Sequence, residues 1–491
     1  MATEATRIEY EAVIGLEVHC QLKTRSKMFC GCERDYFDAE PNTHVCSVCL
    51  GMPGMLPVIN HQAVMFTILA GLALGCEIPP HAKFDRKNYP YPDLVKGYQI
   101  SQYDEPLCLG GELEIEVDGV TRAVQLERIH LEEDTARLLH RDGGSGESYS
   151  LIDVNRSGTP LMELVSKPDM HSAAEAMAFL RTLRQVFRYI GVSDADMEKG
   201  SFRCDANISM RPVGATELGR KVEVKNMNSF RAVGRALETE IERQTRVLRE
   251  GGRIAQETRG YIDATGTTVS QRSKEEAHDY RYFPEPDLPP LEVSRETVEA
   301  LRASLPELPA ARRRRFVAQY GVTSDEAAQL VETRPRADAF EETVRLAGVP
   351  NARAVAHWFI GDVTRLLNAL GADAELEDSK LTPGHIAELV ALQAEGAITA
   401  ATAKEVLQAA FDGGQSPAAI VEAGGMRQVR DEGEIDRVAA EVIEANPQAV
   451  ADYRGGKDAA IKFLVGQVMR AMRGRADPNG AAEALERRLK A

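Results

Sequence analysis

The chain has 491 residues, 43% hydrophobic and 27% charged, an ordinary globular composition with room for about two to four domains. A net charge of −16 argues against a surface that holds nucleic acid by charge alone, although a local basic patch stays compatible with it. Eight cysteines in so long a chain do not make a secreted disulfide scaffold, and reduced thiols with some metal ligation fit better. The opening MATEATRIEY carries acids and no apolar core, so no signal peptide is expected. The longest apolar run, at 63–76, is too short to cross a bilayer and predicts a buried helix. The expectation is a cytoplasmic protein without membrane association.

In chain order, IGLEVHCQL comes first. Ile14, Leu16, Val18 and Cys20 alternate with Gly15, Glu17, His19 and Gln21, which puts Glu17 and His19 on one face of a strand. Cys30, Cys32, Cys46 and Cys49 follow as C-x-C-x13-C-x2-C, two close pairs with the spacing of a structural Zn²⁺ tetrahedron. Cys20, Cys76, Cys108 and Cys204 lie in apolar contexts and read as core. Lys87 stands in FDRKNY. Asp118-Gly119 between LEIEV and VTRAVQL predicts a hairpin with a type I′ turn. RIHLEED then brings His130, Glu132, Glu133 and Asp134 to a strand end, and GGSGES at 143–148 reads as a loop. Ser172 and Glu175 suggest a capping box for a helix that stops at Gly191. In FRCDANISMR and KVEVK, Arg203, Asp205, Asn207, Glu223 and Lys225 fall on alternating faces opposite apolar residues.

The prolines of PEPDLPPL, at 284–290, mark a boundary, and the sequence beyond it has helical spacing. The expected organisation is 1–293 as a strand-rich domain with the cysteine insertion, 294–398 as a helical domain and 399–491 as a helical tail. Arg312–Arg315 read as an exposed helix face. Lys457, Lys462, Arg470, Arg473, Arg475 and Lys490 make the tail the candidate RNA-contacting patch.

Strand faces rich in Glu, Asp, His and Arg can simply be solvated. Carboxylates with one imidazole also make a hard site for Mg²⁺, and Lys87, Arg203 and Lys225 could meet phosphate oxygens beside it. An ideal strand sends Glu132 and Glu133 to opposite faces, so both reach one ion only if a bulge re-aims one of them. GxxxxGK[ST] does not occur and no Rossmann fingerprint opens a βαβ unit. ATP-dependent activation of a carboxylate is the leading reaction.

IGLEVHCQL, PNTHVCSVCLGMPGMLPVIN, RKNYPYPDLVKGYQISQYD, RIHLEED, NRSGTPLMELVS, RCDANISMRP, VKNMNSFRAV and DYRYFPEPDLPP, in this order, resemble the B-subunit family of the tRNA-dependent amidotransferases (GatCAB). GKDAAIKFLVGQVMRAMRGRADP is similar to that family's C-terminal module. The resemblance implies an α+β fold: an antiparallel-sheet, glutamine-synthetase-like catalytic cradle, then a helical domain and a small helical tail that touches tRNA. It implies a ligase that uses ATP to phosphorylate the side-chain carboxylate of Glu-tRNA(Gln) or Asp-tRNA(Asn). Ammonia from a partner amidase (A) subunit then displaces phosphate, and a small C subunit completes the heterotrimer. Carried onto this sequence, Glu17, His19, Glu132 and Glu133 resemble the Mg²⁺ shell and Lys87 a phosphate contact, with Arg203, Asp205 and Glu223 beside the nucleotide. Pro90 departs from the aromatic residue usual in the family, and Thr135-Ala136-Arg137 from Ala-Gly-Lys. A zinc-stabilised tRNA-binding adaptor without chemistry of its own, and a free-standing ligase acting on free glutamate, are the competing readings.

Overall fold

A computed structural model describes residues 8–143, 147–273, 280–428, 431–455, 457, 459–472 and 475–490. The chain divides into two compact units, Met1–Leu308 and Pro309–Ala491. The first contains β1 (Tyr10–Gln21), β2 (His81–Ala82), β3 (Asp85–Asn88), β4 (Tyr98–Ser101), β5 (Cys108–Leu109) and β6 (Glu112–Val117). It continues with β7 (Val120–Glu133), β8 (Arg137–Asp142), β9 (Ser148–Asp153), β10 (Pro160–Ser166) and β11 (Phe202–Pro212). The remaining strands are β12 (Val222–Lys225), β13 (Glu257–Ile262), β14 (Thr267–Ser273), β15 (Phe283–Pro284) and β16 (Leu291–Glu292). Its helices are α1 (His61–Ala73), α2 (Ala173–Tyr189), α3 (Phe230–Arg249) and α4 (Arg295–Ser304).

Twelve strands form one sheet in the order β14-β13-β12-β11-β1-β10-β7-β4-β3-β15, with β5 and β6 also on β7. All its pairings are antiparallel except β12 with β13. The fold is therefore mixed α and β around a large, mostly antiparallel sheet. Alternation in β1 does what its pattern predicts: Ile14, Leu16, Val18 and Cys20 are all 0% exposed. Opposite them in register lie Cys204, Ala206 and Ile208 of β11 and Met162 and Leu164 of β10. Phe179, Leu183 and Phe187 of α2 and Val233 and Leu237 of α3 belong to the same core. One sheet face is thus apolar, and the other is left for Glu17, His19 and their neighbours.

Local signals are met in detail. Asp118 (φ 52°) and Gly119 (φ 76°) both take positive φ, as a type I′ turn requires. The apolar run forms α1, and Cys20, Cys76, Cys108 and Cys204 are buried. Ser172 caps α2 by accepting from the Glu175 amide at 3.1 Å, but the Glu175 carboxylate accepts from His171 N at 2.6 Å. The reciprocal half of the capping box is therefore displaced by one residue. The loop at 143–148 joins β8 to β9, and its residues 144–146 lie outside the described ones.

Among the described residues the second unit is built from helices. They begin with α5 (Pro309–Tyr320), α6 (Ser324–Leu330), α7 (Arg334–Ala347), α8 (Ala352–Trp358), α9 (Thr364–Asn368), α10 (Pro383–Ala394), α11 (Ala400–Gly413) and α12 (Pro417–Ala423). The last four are α13 (Glu432–Ala445), α14 (Pro447–Arg454), α15 (Ala459–Ala471) and α16 (Pro478–Lys490). The first unit extends beyond the expected residue 293, for a packing reason. Val298 and Leu301 of α4, with Leu305 and Leu308 after it, pack on the sheet core, so α4 belongs to the first unit. α11 and α12 pack on α10, while Ile435, Val442, Leu464, Val468 and Leu485 of α13, α15 and α16 form a separate small core. Both sets of helices belong to the one compact unit Pro309–Ala491. Arg312 is another difference: it is buried and ion-paired with Asp338 and Glu341, and Arg315 also pairs with Glu341. This face of α5 is bonded, not simply solvated. Among the described residues no helix is long and apolar enough to cross a membrane.

Candidate functional site

The polar face is assembled by strand register. His19 of β1 is opposite Glu163 of β10, and Glu163 is opposite His130 of β7. Glu132, two residues further along β7, turns to the same face and is opposite Ser101 of β4, whose hydroxyl donates to it at 3.0 Å. His19 Nε2 lies 3.1 Å from Glu163 Oε2 and 3.9 Å from Glu132 Oε1. One ligand atom each from His19, Glu132 and Glu163 fits within 4.8 Å. Two carboxylates and an imidazole at this spacing suit a hard divalent cation.

Charge is tightly coupled here. Burial works against a proton on His19, but the charge and hydrogen bond of Glu163, with Glu132, push its pKa up to about 9. Glu163 is held well below the carboxylate range: burial opposes this, and His130 and His19 outweigh it. Glu132 is also lowered, burial being outweighed by its hydrogen bond to His130 and by Lys87. A cation and a protonated His19 are thus alternative ways to offset the same two acids.

Glu17, expected in the same shell, heads a second group. It is opposite Asp205 of β11, and the Glu17, Asp205 and Glu223 carboxylates converge within 4.8 Å. Lys225 Nζ pairs with Asp205 at 2.6 Å and Glu223 at 3.2 Å, and Asn207 Nδ2 donates to Glu17 at 3.2 Å. Burial and then Glu163, Glu223 and Asp205 raise the Glu17 pKa.

Glu133 leaves the shell altogether. No bulge interrupts β7 here, since Glu133 is opposite Pro160 and Glu132 opposite Leu161 in regular register. Glu133 therefore shares the face of Ile129 and Leu131, where it pairs with Lys96 and accepts from Ile100 N at 3.0 Å. Arg203 also departs from the expected nucleotide contact. Its Nη1 and Nη2 donate to the two oxygens of buried Asp134 at 2.8 and 3.1 Å, with Gln21 Nε2 on the same carboxylate at 2.8 Å. Arg156 stands 3.6 Å away. Burial would raise the Asp134 pKa, but the Arg156 and Arg203 charges hold it far below the usual range.

Lys87 of β3 shares the polar face, being opposite Gln99 of β4, two residues from the Ser101 that is opposite Glu132; Glu132 and Glu163 also act to raise its pKa against burial. Among the described residues its ammonium has no ion-pair partner within 4.0 Å; the Tyr280 and Tyr89 rings lie 5.1 and 5.9 Å away. It is a cation without a dedicated anion.

The four predicted cysteines also meet. Their sulfurs fit within 4.8 Å, with Cys49 3.9 Å from Cys46 and 4.0 Å from Cys32. A Zn–S bond of ~2.3 Å gives a tetrahedral edge of about 3.8 Å, so the donor set fits a metal. Hydrogen bonding from Cys30, the Cys46 amide and the Lys27 charge lower the Cys49 thiol to about 4, while burial first, then Cys46, push Cys32 up to about 11. Lys27, 0% exposed, places Nζ 2.8 Å from the His44 carbonyl and 3.7 Å from Cys49 Sγ. A buried ammonium so placed favours thiolate in the cluster.

A GatB/GatE catalytic domain model matches residues 12–299, and a GatB domain model matches 338–489. The chain is 55% identical over 487 residues to the B-subunit of the aspartyl/glutamyl-tRNA(Asn/Gln) amidotransferase from Dehalococcoides mccartyi strain CBDB1, covering 98% of this chain and 99% of that one. The corresponding B-subunits from Thermomicrobium roseum and Carboxydothermus hydrogenoformans are 54% and 52% identical, each over 98% of this chain and 99% of theirs. The chain belongs to the amidotransferase B-subunit family. It is thus one component of an amidotransferase, in the ligase class. The catalytic-domain match contains both carboxylate groups, Lys87 and the cysteines, so the polar face lies wholly inside the part of the chain that defines the family's catalytic domain.

Two residues that meet these carboxylates were not singled out from sequence, Glu163 on the polar face and Lys96 on the opposite one. Glu163 stands in PLMELVS between residues that are apolar on both sides, so no alternation marks it; a lone acid in an apolar strand is the only signal. Lys96 could be paired with Glu133 only through the fold.

Proposed function

We propose that this chain carries out ATP-dependent amidation of the side-chain carboxylate of Glu-tRNA(Gln), Asp-tRNA(Asn) or both, through an acyl phosphate. It works in a complex with an amidase (A) subunit that supplies ammonia and a small C subunit. A carboxylate oxygen of the aminoacyl group attacks the γ-phosphorus of ATP and ADP leaves. Ammonia then attacks the acyl carbon, phosphate leaves, and a proton is lost to give the amide. The sheet acts as a glutamine-synthetase-like cradle for both steps.

The observation that carries the reading is the convergence of His19, Glu132 and Glu163 beside Lys87, a cation with no ion-pair partner among the described residues. Mg²⁺ held by His19, Glu132 and Glu163 would neutralise phosphate charge. Lys87 adds a point charge for phosphate oxygens, and the acids Glu17, Asp205 and Glu223 with Lys225 border the same face. Asp134, held by Arg203 and Gln21, fixes β1, β7 and β11 relative to one another. The cysteine cluster is the structural Zn²⁺ site, and the tail contacts tRNA. Lys457 and Lys490 are paired within it, at 3.1 Å to Asp452 and 2.9 Å to Glu486, and Arg475 donates to the Met472 and Gly425 carbonyls at 3.3 and 3.2 Å, which leaves Lys462 and Arg470 as the contacts; Arg473 lies outside the described residues. Hydroxylamine trapping tests the intermediate. With ATP, mischarged tRNA and no ammonia, the complex should yield the side-chain hydroxamate, and its absence with tRNA bound would favour an adaptor.

A further inference from the structure

Beside Lys87 four tyrosines are drawn together from three separate stretches of chain. Tyr103 and Tyr282 are stacked, with ring centroids 4.2 Å apart and planes 8° from parallel. Tyr280 meets Tyr282 edge-on at 6.1 Å and Tyr89 at 5.6 Å. The arrangement is held from the backbone. Asn88 N and Nδ2 donate to the carbonyls of Tyr280 and Arg281 at 2.8 and 3.0 Å, Phe283 of β15 pairs with Arg86 of β3, and Tyr103 N donates to Asp85 at 3.2 Å. Tyr103 nevertheless keeps 55% of its surface exposed. A parallel tyrosine pair, fixed at its backbone and with one ring more than half exposed, stands near an ammonium that has no ion-pair partner among the described residues.

We infer that the Tyr103–Tyr282 pair is a stacking platform for an adenine base whose phosphates run toward Lys87. This deepens the proposed function and rests on it for the identity of the substrates. Aromatic faces bind bases by stacking, with little demand on hydrogen bonding. The position of the pair fits the chemistry, since Tyr282 meets the Tyr280 ring edge-on and Lys87 Nζ lies 5.1 Å from that ring. Two adenines are on offer: that of ATP and the terminal adenosine of the tRNA that carries the aminoacyl group.

Base-free probes separate them. With the intact heterotrimer, equilibrium binding is measured for ATP against inorganic triphosphate, both with Mg²⁺, and for tRNA ending in CCA against the same tRNA lacking its terminal adenosine. Wild type should prefer the adenine-bearing member of one pair by about 5- to 150-fold, the range of one base stacked on an aromatic ring. Tyr103→Leu and Tyr282→Leu should bring that ratio close to one, while Tyr103→Phe and Tyr282→Phe, which fill the same space and keep the π-face, should preserve it. A ratio lost in the ATP pair assigns the platform to ATP, and one lost in the tRNA pair assigns it to the acceptor end. Ratios unchanged in the leucine variants, or lost equally in the phenylalanine ones, would overturn the platform. If wild type binds with these ratios yet gives no ATP-dependent amidation, the proposed chemistry fails and the platform stands.

Discussion

Glu163→Gln tests the coupled site at the acid hidden in an apolar strand. Glu163 lies 3.1 Å from His19 Nε2 and 3.6 Å from His130 Nε2, and it is the largest influence that raises the His19 pKa to about 9. An unperturbed histidine titrates near ~6.5, and the difference corresponds to about 3 kcal/mol of stability. Because the folded value is raised, this stability is fully present below about pH 6.5 and is lost as pH rises through about 9. Glutamine keeps the shape and removes the charge. The His19 midpoint in metal-free protein, followed by NMR of ring-labelled histidine, should fall by at least about one pH unit. Denaturant unfolding should show a stability loss of up to about 3 kcal/mol near pH 6 that shrinks above pH 9. Adding Mn²⁺ to wild type near pH 7.5 should release about one proton, because ligation needs neutral imidazole. A His19 midpoint still near 9 in the variant would refute the coupling.

The neighbouring glutamates should behave differently. Glu132→Gln should weaken Mn²⁺ binding at least about tenfold, whereas Glu133→Gln should leave it unaltered and cost about 3 kcal/mol in denaturant unfolding by stranding Lys96. Asp134→Asn should destabilise the first unit by about 3–5 kcal/mol, since Arg203 and Arg156 lose their buried countercharge. Cys46→Ser should remove bound zinc, read by elemental analysis of the purified complex, while Glu132→Gln retains it. Deleting residues 431–491 should weaken tRNA binding and flatten its salt dependence, measured by filter binding at several ionic strengths.

Much of the sheet was legible because one face is apolar. Period-two patterns in β1, β11 and β12 put Glu17, His19, Arg203, Asp205 and Glu223 on the polar sides of their strands, and register then brought Glu17, Asp205 and Glu223 together. The Glu132 and Glu133 parity was legible too, and the regular register of β7 decided it. What could not be read was pairing between distant strands. The Lys96–Glu133 bond and the Asp134–Arg203 brace, which removes Arg203 from the free cations, depend on which strands are neighbours. Glu163 stayed hidden because Leu161, Met162 and Leu164 on both faces of β10 are buried, which erases alternation. The helical half gave its helices, but α4 joins the first unit by what it packs against and not by local sequence.

Amide formation on Glu-tRNA(Gln) and Asp-tRNA(Asn), by the heterotrimer with ammonium as nitrogen donor, tests the central claim most directly because ammonium bypasses the glutaminase. Product from at least one tRNA that requires ATP and Mg²⁺, and that is lost in Glu163→Gln, is the predicted result. Product formed equally without ATP, or none with either tRNA although both bind, would contradict the assignment of the chemistry to this polar face.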